Sequence, residues 1–203
     1  MNRDEDSVKI VCLSKRINLV IEELIQKIVR HLDENDIPYM IIGGQAVLLY
    51  GSPRLTRDID ITLGIDTDKF QLIARLCEEL GLKLLPQKPA DFASETKVLP
   101  AEDPKSRIRV DFIFSFTPYE AQAITRAKEV LMNGYPAKFA SCEDVIIHKM
   151  FAARAVDAED VNNILIKNKD SIDLEYIRRW LLEFGKISEH KGILKRFDSL
   201  LDQ

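Results

Sequence analysis

Two acidic residues, Asp58 and Asp60, stand two positions apart and are the first feature of the chain that could bind a metal ion. Within residues 58–63, carboxylate or hydroxyl side chains alternate with aliphatic ones, which predicts a β-strand with both carboxylates on one face. Two carboxylates this close repel each other unless a cation lies between them. Mg²⁺ binds one or two carboxylates and completes its octahedron with water and phosphate oxygens. We therefore expect a Mg²⁺ site at Asp58 and Asp60.

A third carboxylate, Asp111, lies in the middle of residues 107–114, whose β-branched and aromatic content predicts another strand. If the two strands are neighbours, three carboxylates can hold two metal ions. The residues also allow a structural interpretation. Asp111 would share a strand face with Arg107 and Arg109, and either arginine could simply form an ion pair with it.

A glycine pair, Gly43-Gly44, ends the short apolar run of residues 37–42, which has the length and content of a buried strand. Residues 45–50 then have the pattern of a short helix. Glycines at the end of a strand let backbone N–H groups approach a ligand closely, and the first turn of a helix adds a partial positive charge. The arrangement predicts a phosphate-binding turn, although a glycine pair alone is common.

The combination of these features resembles the DNA polymerase β-like nucleotidyltransferase superfamily. The shared pattern is a Gly-Gly at a strand end, a spacer of 13 residues, the Asp-x-Asp strand and a later single Asp on a strand. Within that superfamily, two segments look like the small AbiEii-type enzymes of bacteria and archaea. One is the Arg-x-Thr-x-Asp-Ile-Asp form of residues 54–60, and the other is residues 144–160, where a helical lysine precedes an arginine and an Asp-x-x-Asp. The resemblance covers about residues 37 to 165.

This resemblance implies a Mg²⁺-dependent enzyme that transfers a nucleoside monophosphate from an NTP to a hydroxyl group and releases pyrophosphate. One of two metal ions would activate the acceptor hydroxyl and the other would bridge the triphosphate. The resemblance assigns catalysis to Asp58, Asp60, Asp111 and Lys149, metal binding to Asp58, Asp60 and Asp111, and nucleotide binding to Gly43, Gly44, Arg54, Thr56, Arg57, Lys149 and Asp157.

Several of these residues also have structural interpretations that the sequence leaves open. Lys149 lies in an otherwise apolar helix, where its ammonium group could extend to water along the helix surface. Asp157 and Asp160 could cap and decorate the following helix, and His148 is a packing or surface residue more often than a ligand.

The acceptor and the partners are implied only broadly. Members of the superfamily modify RNA ends, proteins and small molecules, and the AbiEii-type likeness implies the toxin of a toxin–antitoxin pair with an antitoxin protein as partner. A second hypothesis is a noncatalytic module that kept the fold to bind a nucleotide or a protein. Such a module has little reason to retain three catalytic acids, and all three positions are filled here.

The elements around the motifs predict an α/β (α+β) fold, a mixed β-sheet flanked by helices and followed by a helical C-terminal region. We expect a nucleotidyltransferase domain with an N-terminal helix at residues 1–140 and a helical region packed on it at residues 141–203. Helix starts are expected at residues 117–120 and at Ser141, and Asn133-Gly134 predicts a hairpin. The four prolines of residues 83–106 suggest a strand or two with a long irregular connection.

Composition excludes several classes of protein. The chain has 203 residues and a net charge of −4, and its acidic excess lies in the first 120 residues, which disfavours broad electrostatic binding of nucleic acid. There is no apolar stretch long enough for a membrane span, and the three cysteines form no CxxC pair, which disfavours disulfides and zinc. We expect a cytoplasmic protein in which metal and local basic groups hold any anionic substrate.

Overall fold

The computed structural model describes residues 3–52, 56–115 and 117–201, and in this part of the chain seven strands form one mixed sheet. The strands are β1 (Tyr39–Ile42), β2 (Asp58–Leu63), β3 (Lys83–Leu84), β4 (Val98–Glu102), β5 (Arg109–Phe114), β6 (Lys128–Met132) and β7 (Tyr135–Phe139). Their order across the sheet is β3-β4-β5-β2-β1-β7-β6. This mixed α/β architecture confirms the predicted fold class.

The helices surround this sheet and make up most of the C-terminal region. They are α1 (Arg3–Glu34), α2 (Gly43–Tyr50), α3 (Phe70–Glu79), α4 (Pro89–Thr96), α5 (Pro118–Arg126), α6 (Cys142–Ala152), α7 (Ala155–Asn168), α8 (Leu174–Phe184) and α9 (Ile193–Leu201). Two short 3-10 helices lie at Thr67–Lys69 and Ser188–His190. Among the described residues, no helix is both long and apolar enough to cross a membrane.

Strand β2 lies at the centre of the sheet, between antiparallel β1 and parallel β5. Its aliphatic residues Ile59, Ile61 and Leu63 are fully buried, whereas Asp58 is exposed at the end of the strand. The predicted alternation holds for residues 58–61, whereas Thr62 is also buried, and the aliphatic residues fix the register because a slip of one residue would turn them out of the core.

Helix α2 begins directly at the end of β1, without a connecting loop. It starts at Gly43, two residues earlier than the pattern predicts, because the left-handed φ of +64° at Gly43 turns the chain sharply. The helix packs on β1 and β2 and also contacts α6 and α7. It therefore connects the sheet to the C-terminal helices.

The segment of residues 83–106 contains the two strands that the sequence suggests, but the connection between them is not the long irregular one expected. It forms β3 and β4 with helix α4 between them. Pro89 stands at the first turn of α4, where its missing N–H costs nothing, and Lys97 ends the helix in a left-handed conformation. Pro89 thus marks the start of a helix and Pro100 a position on β4, whereas Pro86 and Pro104 lie in a bend and a turn.

The other predicted elements are present with shifted bounds. The N-terminal helix extends to Arg3, and its buried stripe between Ile21 and Leu32 packs against β6 and β7. The Asn133-Gly134 hairpin is confirmed, with positive φ at both residues. Thr117 precedes α5, but its hydroxyl bonds to the Glu120 carboxylate and does not cap the helix backbone.

Helix α6 is anchored by a buried carboxylate, Asp144. The Ser141 hydroxyl caps the helix by accepting from the Asp144 N–H, as predicted, and donates to Asp144 Oδ2 at 2.7 Å. The hydroxyl of Tyr176 in α8 donates to Asp144 Oδ1 at 2.8 Å, and Arg126 Nε in α5 lies 3.5 Å from Oδ2. This network ties α6 to α5 and α8.

We expect Asp144→Ala to lower the free energy of unfolding by about 2–4 kcal/mol, because it leaves the buried hydroxyls of Ser141 and Tyr176 without their carboxylate acceptor and leaves Arg126 with Glu143 alone. Urea denaturation measures the loss. Asp198→Ala, which removes the exposed ion pair with Arg178, is the matched control and is expected to cost at most about 1 kcal/mol. Equal losses in the two variants would contradict the anchoring role of Asp144.

Candidate active site

The sheet places the three predicted acidic residues on one face. Asp60 of β2 is the register partner of Asp111 of β5, and Asp58 is the partner of Arg109. Register partners on neighbouring strands project to the same side, as do residues two apart on one strand. The three carboxylates therefore belong to a single surface at the centre of the sheet.

The glycine pair packs directly against this surface. A Cβ atom at Gly43 would overlap the Asp60 Oδ2 atom and lie 2.8 Å from Asp60 Cγ, so the backbone at the start of α2 approaches the carboxylate without a side chain between them. A Cβ at Gly44 would overlap the Thr56 hydroxyl and lie 2.9 Å from Thr56 Cβ. Thr56 thus packs against the start of α2, and both glycines are required by close approach.

Asp60 lies where its negative charge is unfavourable. Burial, followed by the negative charges of Asp111 and Asp58, raises the pKa of the Asp60 carboxyl to about 6. Arg154 and Lys149 act in the opposite direction. The carboxylate form therefore lacks sufficient positive charge around it, which a bound cation would supply.

Asp111 is held by a neighbour on its own strand. Arg109 Nε donates to Asp111 Oδ1 at 2.8 Å. Of the two arginines that could pair with Asp111, the structure selects Arg109, because β5 begins there and Arg107 lies outside the strand with a positive φ. Arg107 instead pairs with Glu102 at 3.0 Å.

The carboxylate oxygens of Asp58, Asp60 and Asp111 suit a divalent cation, but the three side chains do not point to a common position. In the described part of the chain, no three acidic, histidine or cysteine side chains are arranged to hold a metal ion. Carboxylate oxygens are the ligands that Mg²⁺ prefers, and burial together with the nearby charges of Asp111 and Asp58 raises the pKa of Asp60. Asp58 and Asp60 could hold such an ion, and Asp111 would join them by turning away from Arg109.

Lys149 lies in a buried ion cluster rather than on the helix surface. Its Nζ lies 2.8 Å from Asp157 Oδ1 and 2.8 Å from Asp160 Oδ2, and all three side chains are buried. The two carboxylates come from α7, which follows α6 after a sharp turn at Ala153. That Lys149 and Asp157 contact a nucleotide stays a prediction. Both side chains would have to make such a contact while keeping their ion pairs with each other and with Asp160 or Arg154.

Arg154 joins this cluster to the carboxylate face, a role that the sequence analysis did not assign to it. Its backbone N–H and Nε both donate to Asp157 Oδ2, at 3.0 and 2.9 Å, so the Asp157 carboxylate satisfies the backbone N–H at the start of α7 and also pairs with the guanidinium. Burial alone would raise the pKa of Asp157, but the hydrogen bonds from Arg154 and Lys149 outweigh it and lower the pKa. The position of Arg154 between the helical lysine and the Asp-x-x-Asp is the sequence feature that could have indicated this role.

The remaining predicted residues lie around this centre. Arg57 is exposed just before β2, and Arg54 lies outside the described residues. His148 is a packing residue against the Tyr119 ring, and burial lowers its pKa to about 4. Burial likewise raises the pKa of the Cys77 thiol to about 12, so this cysteine is chemically inert.

We expect Lys149→Met to lower the free energy of unfolding by about 3–5 kcal/mol, because it removes the buried cation that Asp157 and Asp160 share. The measurement is urea denaturation at neutral pH. The triple variant that adds Asp157→Asn and Asp160→Asn should regain part of the loss, since no uncompensated charge remains. A cost below about 1 kcal/mol for Lys149→Met would contradict the buried ion cluster.

Asp60→Asn should stabilise the metal-free protein at neutral pH by about 2 kcal/mol. The raised pKa keeps the Asp60 carboxyl protonated in the folded protein between pH 4 and 6, whereas the same carboxyl in the unfolded chain has already lost its proton. The stability of the folded protein therefore falls as pH rises through this window. The difference between variant and wild type should grow from pH 4 to 6 and then level off in thermal unfolding curves. The exposed Asp170→Asn is the control, and a difference independent of pH would contradict the expectation.

Solved structures of nucleotidyltransferases share this fold. The solution structure of the antibiotic-resistance factor ANT(2'')-Ia aligns with a TM-score of 0.57 and 18% identity over 87% of this chain and 96% of that one. The crystal structure of ANT(2'')-Ia in complex with adenylyl-2''-tobramycin gives a TM-score of 0.57 and 19% identity over 88% and 99% of the two chains. An antigenic nucleotidyltransferase-like protein from Paracoccidioides brasiliensis gives a TM-score of 0.51 and 20% identity over 90% and 94%.

The sequence itself has no significant match among curated proteins, but a family model matches nearly all of it. That model describes a nucleotidyltransferase of unknown function (DUF6036) and covers residues 16–198, which includes the N-terminal and C-terminal helices beyond the motifs. The finer likeness to AbiEii-type enzymes stays a prediction. The chain belongs to this nucleotidyltransferase family, and its fold and motifs place it in the DNA polymerase β-like nucleotidyltransferase superfamily.

Proposed function

We propose that this protein transfers a nucleoside monophosphate from an NTP to a hydroxyl group in a Mg²⁺-dependent reaction that releases pyrophosphate. The observation that carries the proposal is the contact between the start of α2 and Asp60, next to the register pair of Asp60 and Asp111. A phosphate-binding backbone and a set of metal-binding carboxylates meet there. Triphosphate bound with its metal needs both features at one place.

The start of α2 would receive the triphosphate. Its first backbone N–H groups have no partner within the helix and carry the positive end of the helix dipole. Gly43 and Gly44 leave them accessible because neither residue has a side chain to cover them. Asp58 and Asp60 would hold Mg²⁺ against the same phosphates, and this ion would offset charge on the departing pyrophosphate.

The nucleoside would lie on the side of the C-terminal helices. A cavity of about 300 Å³ there is lined by Lys149, Met150, Ala153, Arg154, Asp157, Ala158, Arg196, Ser199 and Leu200. Lys149 and Arg154 act on the charge of Asp60, so this cavity adjoins the carboxylate face. Arg154 and Arg196 at its rim supply cationic donors for phosphate or base oxygens.

Asp111 would act on the acceptor. The carboxylate would orient the attacking hydroxyl and receive its proton, while the hydrogen bond from Arg109 would hold the carboxylate in place until the substrates arrive. Opening of the Arg109 contact would allow Asp111 to turn toward Asp60 when Mg²⁺ is bound.

The direct test is incubation with labelled NTPs, Mg²⁺ and mixed acceptors, with pyrophosphate release as the measurement. Asp60→Asn should lower the rate by at least about 100-fold, because it removes a carboxylate from the metal site. Gly43→Ala should have a comparable effect, since its Cβ displaces the Asp60 carboxylate. Gly81→Ala is the matched control, because Gly81 has a similar φ of +68° but nothing near its Cβ position.

A noncatalytic nucleotide-binding or protein-binding module is the second candidate function. It is favoured by the ion pair that occupies Asp111 and by the neutralisation of Lys149 within its cluster. This alternative predicts no pyrophosphate release with any NTP in the wild type, and unchanged partner binding in Asp60→Asn.

The finer assignment is that of a cytoplasmic toxin with an antitoxin partner. The likeness of residues 144–160 to AbiEii-type enzymes supports it, and RNA ends, proteins and small molecules are the acceptor classes to compare. Expression of the wild type should then arrest growth, and Asp60→Asn should not. Harmless expression of an active wild-type enzyme would contradict the toxin role.

A further inference from the structure

Arg109 lies between the carboxylate face and a cavity beside helix α4. Its Nε donates to Asp111 Oδ1 at 2.8 Å, and its register partner on β2 is Asp58. The cavity has a volume of about 610 Å³, and Arg109 forms part of its lining. The same side chain therefore borders the candidate metal site on one side and an open space on the other.

The positive charge of Arg109 acts on the whole acidic face. The hydrogen bond to Asp111, together with the negative charges of Asp111, Asp58 and Asp60, raises the pKa of the guanidinium. A divalent cation held by Asp58 and Asp60 would repel this guanidinium, because two positive charges so close together are unfavourable. Arg109 must therefore leave Asp111 if that carboxylate is to become a third metal ligand.

The contact between Arg109 and Asp111 can open without disturbing the core. The Arg109 side chain is 50% exposed, whereas the Asp111 side chain is 19% exposed. Arg109 is the first residue of β5, so the sheet fixes its backbone while half of its side chain is in contact with solvent. Rotation about the side-chain bonds of Arg109 is enough to move the guanidinium away, and the strand keeps its register.

The carboxylate opposite Arg109 on β4 already has a partner. Glu102 is the register partner of Arg109, but its Oε1 atom lies 3.0 Å from Arg107 Nη1. The two arginines thus pair with different carboxylates, Arg107 with Glu102 and Arg109 with Asp111. A second partner for Arg109 must come from elsewhere on this flank.

Helix α4 supplies two such carboxylates on the lining of the cavity. Asp91 and Glu95 lie one turn apart and form no ion pair with another described residue. Lys88 also lines the cavity. While Arg109 holds Asp111, one lysine stands against two carboxylates, and the charges of the cavity balance once Arg109 turns toward α4.

We propose that Arg109 is a positioning residue with two alternative partners. It pairs with Asp111 in the metal-free protein and turns to Asp91 and Glu95 when Asp111 joins Asp58 and Asp60 around a divalent cation. The new contact offsets part of the cost of opening the old one, so the two acids of α4 help to set the affinity of the metal site. The inference rests on the Mg²⁺ site of the function proposed above.

The test measures the Kd of Mn²⁺, a paramagnetic substitute for Mg²⁺, by electron paramagnetic resonance of the free ion. Arg109→Met should lower the Kd at least about fivefold, because Asp111 no longer has to leave an ion pair. Arg107→Met is the matched control, since it removes the same charge from the same flank without altering the contact to Asp111. It should change the Kd by less than about twofold.

The double variant Asp91→Asn with Glu95→Gln distinguishes the second partner from a general effect of charge. In the wild-type background it should raise the Kd about threefold, because Arg109 loses the contact that favours its release. In the Arg109→Met background it should leave the Kd unchanged, since no arginine is present to move. A general loss of negative charge would instead weaken Mn²⁺ binding equally in both backgrounds.

Two results would overturn the inference: an unchanged Kd in Arg109→Met, or an equal effect of the double variant in both backgrounds. The failure of the proposed function has a different signature. If the wild type binds no Mn²⁺ that Asp60→Asn releases, the metal site itself is absent.

Discussion

The register pairing of Asp60 with Asp111 is the constraint on which the rest of the site depends. It brings carboxylates from β2 and β5 onto one face, where burial and mutual repulsion raise the pKa of Asp60 to about 6. The aliphatic residues of β2 hold this register, since a slip would expose Ile59, Ile61 and Leu63. Core packing thus stabilises an arrangement of charges that is unfavourable by itself, as is common at sites that bind cations.

The cationic side chains around this face are balanced locally and are not free to neutralise it. Arg109 pairs with Asp111, and Lys149 and Arg154 pair with the acids of α7. Each pair reduces the free-energy cost of placing charge near the core. Because these cations are already paired, they do not fully balance the charge of Asp60, whose pKa stays raised. The raised pKa of Asp60 therefore arises from its burial and from the charges around it rather than from the Asp-x-Asp motif alone.

The order of the strands gives the site two sides with different chemistry. The start of α2 and the cavity at α6, α7 and α9 provide backbone N–H groups and cationic side chains, which suit phosphate. The cavity at α4 provides carboxylates and an apolar wall. A net charge of −4 is compatible with a nucleotide substrate because the backbone N–H groups of α2 and the side chains of Arg154 and Arg196 provide local positive charge on one flank of the carboxylate face.

Local patterns in the sequence determined much of the fold and the membership of the candidate site. The alternation at Asp58, the strand end at Gly43-Gly44, the Asn133-Gly134 hairpin and the Ser141 cap depend on neighbouring residues, so each could be predicted without tertiary structure. The tertiary structure alone decided that Arg109 holds Asp111, that Lys149 is buried between two acids, and that α4 forms a cavity beside the start of β5. These features depend on register and packing between segments distant in sequence, which no local pattern specifies.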